Sequence, residues 1–139
     1  MADKIWEFSN KEEEVKTVYE YLSEYASKLN DDTRGLFKGT VTELISDSKE
    51  EVVYALYIVV PELRNYSYRL IEVVQNNAFT PFPVKMRLFG NAAGNIEEKS
   101  DVSSRNFESE LIGFIQSPLT KLILRNLKTH IEIKRDYQE

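Results

Sequence analysis

The stretch Val52-Val53-Tyr54-Ala55-Leu56-Tyr57-Ile58-Val59-Val60-Pro61 decides how this chain is read. It is the longest unbroken apolar run in the chain, and its β-branched and aromatic residues suit a pleated surface. Both alternating sets, 52/54/56/58/60 and 53/55/57/59, are apolar, whereas a strand with one solvated face shows a polar set. The stretch is therefore expected to be a central strand covered on both sides. Pro61 cannot donate to a ladder and ends it.

Working outward, Leu36–Ser46 reads as a preceding strand, with Gly39 marking a bulge or a close approach. Asp47-Ser48-Lys49-Glu50 is a polar turn of hairpin length between the two. Downstream, Pro61–Asn65 turns the chain into a third strand, Tyr66–Gln75. Its apolar positions change phase, from Tyr66, Tyr68 and Leu70 to Ile71 and Val73, as a bulge near Leu70 or Ile71 would require. Gln75–Pro83, with Asn76-Asn77 and two prolines, reads as a loop. Val84–Phe89 alternates apolar Val84, Met86 and Leu88 with Lys85 and Arg87, the pattern of a half-buried antiparallel strand.

Helices flank this meander. Ile5, Trp6 and Phe8 are too apolar for a free tail and are expected to pack back onto the domain. Ser9 and Glu12 have capping-box spacing. Val15, Val18, Tyr19, Leu22, Tyr25, Ala26 and Leu29 then follow the helical period, so a helix is expected over roughly 10–30. Gly90–Ser104 is the least regular stretch. A second helix is expected from Ser104, carrying Phe107, Leu111, Phe114 and Ile115. Ser117-Pro118 restarts a third, serine as cap and proline at the first helical position, burying Leu119, Leu122, Ile123 and Leu127. Thr129–Lys134 alternates and reads either as a last extended segment or as continuing helix. The expected fold is one α+β domain over 1–139: an N-terminal helix, an antiparallel meander of four strands or five, then two C-terminal helices. The helices are expected chiefly on one face. The other face would be covered by the N-terminal segment, the long loop or a second copy, which leaves room for a homodimer.

With 139 residues, 42% hydrophobic and 29% charged, the chain has the balance of an ordinary globular domain. A formal charge of −5 argues against a general nucleic-acid binder, which needs a basic footprint. Without cysteine there are no disulfides, thiolate metal sites or cysteine nucleophiles. Met1–Phe8 carries charges where a signal peptide needs an apolar run, and no stretch is long enough to span a membrane. The reading is a soluble, cytoplasmic protein without membrane contact.

No catalytic motif in the sequence rises above background. His130 is the chain's one histidine and there is no cysteine, so only an oxygen-only metal site could exist; at the end of an apolar helix His130 reads as a helix C-terminal cation or a partly buried residue rather than a base. Asp31-Asp32 and Glu97-Glu98 lack calcium-loop spacing. Gly90 to Gly94 lacks the Lys-Ser/Thr of a phosphate loop. No catalytic, cofactor or metal residues are therefore assigned, and the chain is read as a non-enzyme.

The arrangement with most content is basic and aromatic. Lys85 and Arg87 project from the outer face of the fourth strand, Arg69 can join them, and Tyr57, Tyr66 and Tyr68 add the composition enriched in protein-binding surfaces. Glu72 in the same strand dilutes that field. These six residues are the candidate partner-binding set. A second candidate is the acidic first helix, as an inhibitor docking a basic partner would present. Helix, antiparallel strands, then helices is similar in outline to the type III secretion chaperone-like arrangement, whose members bind other proteins; no motif carries the likeness. The function expected is a non-catalytic protein-binding module of adaptor, chaperone-like or immunity-inhibitor type. The alternative is a small-ligand binder or small enzyme with a pocket between sheet and helices, gated by loop 90–104.

Overall fold

The computed structural model describes residues 16–44, 50–77, 79–90 and 96–137. In chain order the elements are α1 (Val18–Asp32), β1 (Lys38–Leu44), β2 (Val52–Val60), a short helical turn at Pro61–Leu63, β3 (Tyr66–Asn77), β4 (Thr80–Phe89), β5 (Ile96–Val102), α2 (Ser104–Ile115) and α3 (Pro118–Tyr137). The five strands form one antiparallel sheet in the order β1-β2-β3-β4-β5. This is the expected α+β order, with the sheet at five strands.

β2 is flanked on both sides, as its two apolar sets require. Leu56, Ile58 and Val60 join the main core with Val18, Leu22, Ile71, Val73, Met86, Phe107 and Leu111. Val53 and Ala55, on the opposite face, are also buried within a single copy of the chain, as is Val74 beside them. The phase change in β3 is a bulge: Leu56 pairs with Ile71, but Tyr57 pairs with Arg69, leaving Leu70 as the extra residue. Tyr68, Leu70, Ile71 and Val73 thereby all reach the core side.

Several boundaries differ from the sequence reading. α1 begins at Val18, not near residue 10. Thr17 is extended, with φ −75° and ψ 164°, and forms a capping box of its own with Glu20. The Ser9–Glu12 pair, the apolar segment before it and the turn 47–49 lie outside the described residues. β3 and β4 run further than expected because the prolines sit in an irregularity. Gln75 pairs with Val84 and Asn77 with Thr80, so Pro81 and Pro83 fall where no ladder donor is demanded. The fifth strand lies inside the stretch expected to be irregular. β5 pairs with β4 as a polar edge strand, and it accommodates Asp101 at φ 53° across a register shift. Residues 129–134 are helical, continuing α3. Leu122 points outward, 58% exposed, because α3 buries Thr120, Leu127 and Ile131 instead.

Candidate functional site

The position of α1 is set by one glycine. A Cβ on Gly39 would lie 2.5 Å from the Ala26 Cα and 2.6 Å from its carbonyl oxygen. Glycine on β1 and alanine on α1 thus let the two backbones approach closely, which draws α1 over β1 at one edge of the sheet. At its N-terminal half α1 meets α2, with the Tyr21 and Phe107 rings 5.4 Å apart; Phe107 in turn packs on Phe82 of β4 at 5.6 Å. Toward the C-terminal ends of α1 and α2 the space between them is not filled.

That space is a cavity of about 430 Å³. Its floor is Leu56 and Ile58 of β2 and the bulged Leu70 of β3; α1 contributes Ala26 and Leu29, and α2 and α3 contribute Ile112, Ile115 and Leu124. The polar groups along it are Tyr25, Lys28, Asp32, Thr33, Gln116 and Thr120. Those that face inward are already engaged. Thr33 Oγ1 donates to the Leu29 carbonyl at 2.8 Å and accepts from the Phe37 N–H at 3.1 Å. Thr120 Oγ1 donates to the Phe114 carbonyl at 2.6 Å, while its N–H is capped by Ser117 Oγ. The Tyr25 hydroxyl donates across to Glu108 of α2 at 2.8 Å, a side-chain strap between α1 and α2. Burial first, then that carboxylate, push the Tyr25 hydroxyl up to about 12. Lys28 lies 3.5 Å from Glu24 and over the Tyr25 ring at 4.7 Å. Asp32 and Gln116 are solvent-exposed. The result is an aliphatic interior with a polar rim, the usual make-up of a small-molecule site.

The six residues chosen from sequence do not form one surface. Tyr57, Arg69, Lys85 and Arg87 share the sheet face opposite the helices. There Glu72, itself buried, pairs with Arg69 at 3.3 Å and Arg87 at 3.1 Å. Arg69 also donates to the Tyr57 hydroxyl at 3.3 Å, and Glu98 of β5 takes Arg87 at 3.2 Å and Lys85 at 3.8 Å. Glu72 dilutes the positive field as its sequence position implied, and Glu98 adds to this. Tyr66 and Tyr68 are on the helix side. Tyr68 donates to the Phe89 and Gly90 carbonyls at 2.8 and 3.0 Å, and burial raises its hydroxyl above the ordinary tyrosine range. Tyr66 borders a shallower hollow with Leu63, Asn126, Leu127 and His130.

None of the cavity's lining was assigned to a binding site from sequence: Tyr25, Ala26, Leu29, Leu56, Ile58, Leu70 and Ile115 were read only as helix or strand positions. The signals available were Gly39, legible as a close approach, and the bulged Leu70, which adds a floor residue. No described residue of 96–104 lines it. Among the described residues, no group of His, Asp and Glu is arranged to hold a metal, and no helix is long and apolar enough to cross a membrane. No family model, curated protein or solved structure matches the chain.

Proposed function

We propose that this chain is a non-catalytic binding protein for a small apolar molecule, held in the cavity between α1, the β2–β3 floor and the α2–α3 corner. The observation that carries this reading is the cavity itself: about 430 Å³, walled by aliphatic side chains, in the range of ligand pockets. Non-catalysis is supported by the inward-facing hydroxyls of Thr33, Thr120 and Tyr25, all committed to hydrogen bonds within the fold. An aliphatic interior of this kind binds by excluding water and leaves no reacting group to supply.

The test is fluorescence enhancement of the uncharged probe N-phenylnaphthylamine on titration with the protein. Leu124→Trp places an indole in the cavity, whereas Leu122→Trp, two residues earlier on the exposed side of α3, does not. Binding that survives in Leu122→Trp and is lost in a folded Leu124→Trp supports the reading. Equal binding by both variants, or none by the unmodified chain, removes it.

A protein partner at the opposite sheet face is the second reading. It is favoured by the Tyr57–Arg69–Arg87 surface, where the two arginines remain 43% and 34% exposed despite their pairing. Lys85→Glu combined with Arg87→Glu would abolish such an interaction and leave probe binding unchanged.

A further inference from the structure

Taking the cavity as the binding site, we propose that its ligand is a single-chain cationic amphiphile, with an alkyl chain among the aliphatic side chains and an ammonium head at Asp32. The inference therefore rests on the reading above and adds the chemical class of the ligand.

The interior assigns the chain. Leu29, Leu56, Ile58, Leu70, Ile112 and Leu124 supply only branched aliphatic surface, and the hydroxyls of Thr33 and Thr120 are taken. A polar group carried into that space would lose its water without gaining a partner. A volume of about 430 Å³ suits one medium-length alkyl chain.

The mouth assigns the head. α1 ends here, and the C-terminus of a helix carries a partial negative charge that cations normally offset. Its last turn instead holds Asp31 and Asp32 and no basic residue. Asp32 lines the cavity, is exposed, and has no ion-pair partner among the described residues. The lining cation Lys28 lies over the Tyr25 ring and 3.5 Å from Glu24, a carboxylate it shares with Lys16. At the other wall, the C-terminus of α2 is followed at once by the N-terminus of α3, so those two ends offset each other. At the end of α1 the helix terminus and the carboxylates of Asp31 and Asp32 give a local negative field, which favours an ammonium there and disfavours a carboxylate. The chain's formal charge of −5 acts in the same direction.

Displacement of N-phenylnaphthylamine by decylamine, decanol and decanoate, at neutral pH and below micellar concentrations, tests this. Decylamine should displace at about tenfold lower concentration than decanol, the equivalent of one modest charge interaction, and decanoate should be the weakest. Shortening the chain from decylamine to octylamine should weaken binding about fourfold per methylene, as burial of each CH₂ predicts. Asp32→Asn should bring decylamine to the level of decanol and leave decanol unchanged. If decanoate equals or exceeds decylamine, or Asp32→Asn preserves the preference for amine, the head assignment is wrong. Decanol displacing with no advantage for the amine overturns this inference while the apolar site stands. Failure of the probe to bind at all overturns both.

Discussion

At Gly39 the fold depends on an absent methyl group. Because the atoms a Cβ would meet at 2.5 and 2.6 Å belong to the Ala26 backbone, no rotamer change relieves the clash, and α1 itself would have to move. Gly39→Ala should therefore cost about 3 kcal/mol in chemical denaturation, at the upper end for overpacking. Gly113, inside α2, is the matched control: nothing lies within 4 Å of its notional Cβ, so Gly113→Ala should add about 1 kcal/mol through helix propensity. A small effect at Gly39 would mean that α1 is not held against β1 as described. Glu72 presents the converse case, a carboxylate 9% exposed between two arginine side chains. Removing it takes the shared carboxylate from both guanidinium groups, although Arg69 keeps the Tyr57 hydroxyl, Arg87 keeps Glu98, and their exposure softens the effect. Glu72→Ala should cost roughly 1–3 kcal/mol by thermal or chemical unfolding, whereas Arg69→Ala should cost less because Arg87 still serves the carboxylate.

At the scale of elements, what could be read in the sequence follows from what each pattern records. β2 was legible because two apolar sets can mean only burial on both faces, and the β3 bulge because a phase change in apolar positions has few other causes. β5 was not. Ile96-Glu97-Glu98-Lys99-Ser100-Asp101-Val102 has the composition of a solvated loop, and an edge strand with few core contacts needs nothing else. The start of α1 was misplaced because the apolar period runs unbroken from Val15 through Val18, and Ser9–Glu12 has the same capping-box spacing as Thr17–Glu20, the pair that caps the helix. The cavity was illegible for a different reason. Leucine and isoleucine at helical spacing signal burial in the same way whether they meet a neighbour or line an unfilled space. The Tyr25–Glu108 strap joins α1 to α2 and has a pH signature. Burial and the Glu108 carboxylate raise the Tyr25 hydroxyl from about 10 in the unfolded chain to about 12. The folded state thus holds this proton more firmly; the associated stability is complete below pH 10 and is lost as pH rises toward 12. Burial shifts Tyr54 and Tyr68 the same way. Denaturation midpoints should fall between pH 10 and 12, less steeply in Tyr25→Phe than in the unmodified chain. Parallel curves would show that the strap does not form.

At the scale of the molecule, the two faces of the sheet are used differently. On one, Glu72 and Glu98 tie Arg69, Lys85 and Arg87 into a network of ion pairs. On the other, α1 is drawn to β1 by the Gly39–Ala26 contact while α3 follows α2 through a one-turn corner, and the β2–β3 floor between them keeps a space. The run Val52–Val60 that organises the sheet therefore also provides, at Leu56 and Ile58, the base of the proposed site. The most direct measurement of that claim is a titration of isotopically labelled protein with decanol, followed through backbone amide resonances. Saturable shifts concentrated at Ala26, Leu29, Leu56, Ile58, Leu70 and Ile112 are the expected result. Shifts gathered at Tyr57, Arg69 and Arg87, or spread over the surface without saturation, would contradict it.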